Sequence, residues 1–122
     1  MKKVWHIASD LMMSSTVKVA ATRNNFEYRA IPNLTKLTEE SVPADVIAIM
    51  VDLQAPGLNF ESLKSLLDST DPSVVVCLYA QHVEEEMLAR GHSLGRGQLM
   101  TRGQFNRDVE KVLAAAQSQP QA

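Results

Sequence analysis

An unbroken apolar run, Val46-Ile47-Ala48-Ile49-Met50-Val51, constrains the fold more than any other part of the chain. An apolar run of this length, bounded by a loop, is typical of a strand that is buried on both faces of a parallel sheet. Asp52 ends the run, and Pro56-Gly57 follow in the loop. Because open α/β sheets bind ligands beyond the carboxyl ends of their strands, Asp52 lies where a ligand site is expected.

The rest of the chain alternates strand and helix patterns in the same way. We predict strands over 4–8, 26–30, 45–51, 74–79 and 98–101, and helices over 10–24, 34–41, 59–69, 83–91 and 105–116. Such an alternation predicts an α/β fold of three layers, a doubly wound parallel sheet with helices on both faces, because each crossover is right-handed. We expect a single domain over residues 1–117 and a disordered tail over residues 118–122.

The composition is that of an ordinary globular domain. The chain has 122 residues, of which 45% are hydrophobic, and this length is enough for one core. A net charge of −2 gives no global field that favours nucleic acid or an anionic membrane. No apolar stretch approaches transmembrane length, so we expect a cytoplasmic protein. Cys77, the single cysteine, lies in an apolar run and is interpreted as a core residue.

Polar residues end or directly follow four of the predicted strands. Because the carboxyl ends of parallel strands share one edge of the sheet, we expect these residues to form a carboxyl-edge site. The residues of this site are Ser9, Asp10, Asp52, Tyr79, Thr101 and Arg102.

In three stretches the chain resembles the receiver domain of bacterial response regulators, over about residues 2–116. Residues 2–9 resemble its opening strand, and residues 74–80 lie at the expected distance for its fourth strand. Val51-Asp52-Leu53-Gln54-Ala55-Pro56-Gly57 resembles its phosphoacceptor strand and loop. The resemblance implies a five-stranded flavodoxin-like fold with strand order 2-1-3-4-5, and it makes Asp52 the candidate phosphoacceptor.

The other active-site positions depart from the family pattern. The family's acidic pair, which holds magnesium, falls on Ala8 and Ser9, and its hydroxyl residue falls on Tyr79. Its lysine falls on Thr101 by ungapped counting, or on Arg102 if Gly95 is taken as the glycine before the fifth strand.

These departures have chemical consequences, because magnesium needs oxygen ligands and phosphoryl transfer needs cations. We therefore expect a pseudo-receiver without catalytic residues, metal or cofactor, with magnesium bound only if the site proves functional. It would not be an enzyme but a signalling or protein-interaction module. We further expect the Tyr79 ring to lie over the carboxyl edge near Asp52, where it fills phosphoryl space while its phenol bonds a polar group.

Other residues have plain structural interpretations. Asp52 itself is equally typical of a strand-end residue that accepts hydrogen bonds from nearby backbone amides. His6 is interpreted as a hydrogen-bonded structural histidine, and His82 and His92 as surface residues. The triplet Glu84-Glu85-Glu86 is interpreted as a solvated helix face.

The region of residues 82–116 is the candidate partner face. Four arginines (Arg90, Arg96, Arg102 and Arg107) follow the acidic triplet, with no acid between the first and the last. In receivers the corresponding surface is the usual signalling and dimerisation face. A charge-split surface there suits a protein partner or a homodimer, and scattered surface arginines are the alternative.

Two further functions stay open. The first is a working two-component receiver that is phosphorylated on Asp52, with Asp10 in place of the missing pair. The second is a domain that binds a small anionic ligand at the carboxyl edge through Arg96 or Arg102, a use that the fold permits without implying it.

Overall fold

A computed structural model of the chain describes residues 1–32 and 42–118. Five strands form one sheet: β1 (Lys3–Ile7), β2 (Glu27–Ile31), β3 (Val46–Asp52), β4 (Val75–Ala80) and β5 (Gln98–Thr101). All neighbouring pairs are parallel, and the order across the sheet is β2-β1-β3-β4-β5, as expected. Every residue of β3 is buried, because this strand is central and carries helices on both faces.

Four helices connect the strands within the described residues: α1 (Leu11–Arg23), α2 (Phe60–Asp68), α3 (Glu85–Ser93) and α4 (Arg102–Ser118). The predicted helix over 34–41 lies outside those residues, as do residues 119–122 of the predicted tail. Helix α1 ends where the asparagines predicted its end: Asn24 is its C-cap, and Asn25 has a φ of 63°, a left-handed conformation that asparagine tolerates. None of the described helices has the length and apolarity needed to cross a membrane.

Two apolar cores flank the sheet, which confirms the doubly wound architecture. On one face, α1 and α4 contribute Val17, Phe105, Val109 and Leu113 to a cluster that includes Met50 and Tyr79. On the other face, Leu63 and Leu67 of α2 pack against Trp5, Ile49 and Leu78, with the half-buried Met87 and Leu88 of α3 at the margin. The spacing of the apolar residues in α4 predicted this packing, since residues three or four apart share one helix face.

Candidate functional site at the carboxyl edge

Asp52 is the last residue of β3 and is almost completely buried, with 5% of its surface exposed. Its Oδ1 accepts the backbone N–H of Gln54 at 2.9 Å, the local turn contact that is typical of aspartate at a strand end. Burial raises the pKa of Asp52, and the Gln54 amide and the nearby charge of Arg102 partly oppose this rise. Gln54 in turn accepts the N–H of Gln81 at 2.8 Å, which ties the loops after β3 and β4 together.

Asp10 joins the starts of two helices. Its Oδ1 caps α1 by accepting the N–H groups of Met12 at 2.8 Å and Met13 at 3.2 Å. Its other oxygen pairs with the guanidinium of Arg102, the first residue of α4. The hydrogen bond from Arg102, together with those from the two amides, holds the pKa of Asp10 below its usual range. The sequence predicted both residues at this edge but not their ion pair.

The donor set at this edge does not fit a magnesium site. Ala8 is buried and Ser9 is exposed, and neither carries a carboxylate. Of the four carboxylate oxygens of Asp10 and Asp52, three already accept the hydrogen bonds described above. Across residues 1–32 and 42–118, no group of three His, Cys, Asp or Glu side chains could hold a metal ion. Magnesium prefers several oxygen ligands with near-ideal geometry, which this arrangement does not provide.

Tyr79 lies opposite Asp52 in the register of β3 and β4, yet its side chain belongs to the core. The residue has no exposed surface, and its ring stacks on Phe105 with the ring centroids 4.1 Å apart. The ring is thus stabilised by packing between sheet and helix, while the charges of Asp52, Arg102 and Asp10 at the carboxyl edge still act on its phenol. The prediction that its phenol bonds a polar group is confirmed by a distance of 2.7 Å to Nε2 of His6.

His6 links two tyrosines, which confirms its interpretation as a structural histidine. Its Nδ1 lies 2.8 Å from the hydroxyl of Tyr28, and the residue is completely buried. Both ring nitrogens of His6 therefore have a tyrosine hydroxyl as their partner, and in the neutral imidazole one nitrogen donates while the other accepts. Burial lowers the pKa of His6 to about 4, with the charge of Asp10 acting in the opposite direction. Nothing in the sequence indicated that Tyr28 belongs to this network, since the pair is 22 residues apart.

Thr101 caps helix α4. Its hydroxyl oxygen accepts the N–H of Gln104 at 3.2 Å, and the Gln104 side chain accepts the N–H of Thr101 at 2.9 Å. This reciprocal pair is a capping box, which satisfies backbone donors that a helix start leaves without partners.

A cleft of about 470 Å³ opens at the same edge, between the starts of α1 and α4 and the loop after β4. Arg102 lines it, together with exposed apolar side chains that include Met12 and Val83. Asp52 and Tyr79 lie outside the lining, so the cleft does not reach the candidate phosphoacceptor directly.

The four arginines of the candidate partner face all have intramolecular partners. Arg90 lies over the ring of Phe60, with its guanidinium carbon 4.0 Å from the ring centroid, and Arg107 pairs with Asp108. Arg96 donates to the carbonyls of Leu67, Thr70 and Asp71 at 2.6 to 2.7 Å, and to that of Val74 at 3.4 Å. Arg96 and Arg102, the two arginines proposed to bind an anionic ligand, are therefore both engaged in intramolecular contacts.

Glu85 and Glu86 are exposed in the first turn of α3, where the helix dipole favours acids.

Comparison with solved structures identifies the fold. The non-phosphorylated HemR receiver domain from Leptospira biflexa superposes with a TM-score of 0.75 and 12% identity, over 100% of this chain and 98% of that one. The chemotaxis protein CheY4 of Vibrio cholerae gives 0.72 and 15%, over 95% and 98% of the two chains. The beryllofluoride-activated NtrC4 receiver domain dimer gives 0.64 and 13%, over 95% and 99%. No protein-family model and no curated protein matches the sequence. The fold is thus that of response regulator receiver domains.

Proposed function

We propose that this chain, with its receiver fold, is a non-enzymatic signalling or protein-interaction module that works without magnesium-dependent phosphorylation of Asp52. The observation that carries the proposal is that both carboxylate oxygens of Asp10 already have partners within the chain. Its carboxylate caps α1 and pairs with Arg102, while Ala8 and Ser9 offer no carboxylate. This edge therefore lacks the ligands that would hold a metal ion, and a metal is what would stabilise a phosphoryl group on Asp52.

The surroundings of Asp52 support the same proposal. Its carboxylate is buried, and burial raises its pKa, which makes the ionised form less favourable. Position 79, which has a small hydroxyl residue in receivers, holds a tyrosine that is bonded to His6 and stacked on Phe105. Its hydroxyl is hydrogen-bonded within the core and is therefore not available to bond a phosphoryl group on Asp52.

A beryllofluoride titration with magnesium, followed by NMR of the backbone amides, tests the proposal. We expect no saturable shifts around Asp52, whereas CheY4 in a parallel titration serves as the positive control. Saturable shifts that centre on Asp52 and disappear in Asp52→Ala would contradict the proposal.

A gain-of-function series asks which positions account for the lost chemistry. Tyr79→Thr alone should leave the chain unresponsive to beryllofluoride, because magnesium still has no acidic pair. Ala8→Asp and Ser9→Asp, added to Tyr79→Thr, should be needed before any response appears. A response in the single variant would show that the tyrosine, and not the missing carboxylates, blocks the site.

The second candidate function is a working receiver that is phosphorylated on Asp52. In its favour, Asp52 ends β3 as a phosphoacceptor would, and Arg102 is near enough for its charge to act on the carboxylate. Incubation with radiolabelled acetyl phosphate should then give acid-stable, base-labile label. Label no higher than in an Asp52→Ala control would exclude this function.

For the partner we propose another protein chain or a second copy of this one, docked on the face formed by residues 82–116, and a cytoplasmic location. The NtrC4 receiver domain, which shares the fold, was solved as a dimer. The arginines of this face are held by internal contacts, so its half-buried apolar side chains, such as Val112 beside β5, support docking better than charge does. Analytical ultracentrifugation tests self-association: a monomer at all concentrations would exclude the second copy.

A further inference from the structure

Arg102 lies among acidic groups at the carboxyl edge. It forms an ion pair with Asp10, and its charge also acts on Asp52 and on the phenol of Tyr79. The charge of Asp10 in turn raises the pKa of Asp52, because a like charge disfavours ionisation. One guanidinium therefore offsets two carboxylates that would otherwise repel each other.

We propose that the guanidinium of Arg102 is a built-in counter-ion for Asp10 and Asp52 and keeps divalent cations out of this edge. The inference rests on the proposed function and names what holds the site in its metal-free state. Arg102 is the first residue of α4 and Asp10 caps α1, so the ion pair also connects these two helix starts. A divalent cation would have to displace the guanidinium from the Asp10 oxygen that it occupies.

Shielding from solvent does not explain why divalent cations would be kept out of this edge. The side chains of Arg102 and Asp10 are 32% and 29% exposed, and Arg102 lines the open cleft. Hydrated ions therefore reach the ion pair from solvent. Removal of the arginine charge would free one oxygen of Asp10, and a hydrated divalent ion can bind through only one or two carboxylates while it keeps several waters.

Three variants separate the charge of Arg102 from its bulk. Arg102→Gln removes the charge and keeps a hydrogen-bonding side chain, and it should bind Mn²⁺ at least about tenfold more tightly than the unmodified chain. Arg102→Lys keeps a cation and should bind no better than the unmodified chain. Arg107→Gln breaks the exposed pair with Asp108 and serves as the matched control, with no expected change.

The measurement is Mn²⁺ affinity by electron paramagnetic resonance, with paramagnetic broadening of amide signals to locate the ion. In Arg102→Gln the broadening should centre on Asp10 and Asp52, and a second substitution, Asp10→Asn, should abolish it. A folded Arg102→Gln that gains no affinity would overturn the inference while leaving the proposed function intact.

The unmodified chain provides a test that does not depend on any variant folding. Mn²⁺ should broaden the amides of Asp10 and Asp52 no more than those of the exposed Glu85 and Glu86. Preferential broadening at Asp10 and Asp52 would overturn the inference. If that chain then showed no response to beryllofluoride, the proposed function would still stand.

Discussion

The hydroxyl of Tyr79 lies 2.7 Å from Nε2 of His6, between β4 and β1, and both residues have no exposed surface. Strand β3 separates these two strands in the sheet, so the hydrogen bond spans the width of the central strand. The other nitrogen of His6 continues the network to Tyr28 on β2, at the edge of the sheet. A chain of side-chain hydrogen bonds thus crosses the core below the carboxyl edge, from Tyr79 through His6 to Tyr28.

Removal of the Tyr79 hydroxyl should cost more stability than removal of the Tyr28 hydroxyl. Tyr79→Phe leaves Nε2 of His6 buried without its hydrogen-bond partner, and we expect a loss of about 1–3 kcal/mol in the free energy of unfolding. Tyr28 is half-buried, so water can replace its hydroxyl, and Tyr28→Phe should cost about 1 kcal/mol or less. Urea denaturation of both variants measures the difference. Equal losses would contradict the expectation that water replaces the Tyr28 hydroxyl but not the Tyr79 hydroxyl.

The stability should fall in mild acid because of His6. Its pKa is about 4 in the folded chain and 6.5 in the unfolded chain, so the unfolded state binds more protons between these values. The free energy of unfolding is therefore highest above pH 6.5 and decreases as the pH falls towards 4, by about 3 kcal/mol from this group.

The matched control for this pH dependence is His6→Gln, which keeps a donor and an acceptor but does not titrate. Urea denaturation at a series of pH values should give a shallower slope for the variant than for the unmodified chain. Because Asp10 and Asp52 titrate in both chains, the difference between the two slopes isolates His6. Identical slopes would refute the assignment.

Arg96 should contribute far more stability than Arg107. Its guanidinium satisfies carbonyls at the end of α2 and in the turn that follows, and these acceptors lose their partners in Arg96→Ala. We expect a loss of about 2–3 kcal/mol. Arg107 pairs with Asp108 at an exposed position, so Arg107→Ala should change stability by about 0.5 kcal/mol or less. Comparable effects in thermal or urea unfolding would argue against a structural role for Arg96.

The two glycines of the loop before β5 should respond differently to alanine. Both have positive φ, 67° at Gly95 and 90° at Gly97. At Gly95 an added Cβ meets nothing within 4 Å, so Gly95→Ala should cost only backbone strain, about 1–2 kcal/mol. At Gly97 it would lie 2.7 Å from Cγ1 and 2.9 Å from the carbonyl oxygen of Val76. Gly97→Ala should therefore cost clearly more, and a smaller loss than at Gly95 would contradict this packing.

Most of the fold followed from local patterns. The apolar run before Asp52 predicted a central buried strand, and the spacing from Phe105 to Ala116 predicted the buried face of α4. These predictions succeeded because a strand that is buried on both faces has a continuous apolar run. A helix that is buried on one face has apolar residues three or four positions apart. The place of Asp52 at the carboxyl edge followed from the same reasoning, since parallel strands bring their ends together.

The partners within the site were decided by the tertiary structure alone. Arg102 contacts Asp10 across 92 positions of the chain, and Tyr79 contacts His6 across 73. The sequence placed Asp10, Tyr79 and Arg102 near one edge but carried no signal for which of them would pair, or for the packing of the Tyr79 ring in the core. Such choices depend on the volume left between sheet and helices and on which buried donors and acceptors can satisfy each other, quantities that exist only once the layers have packed.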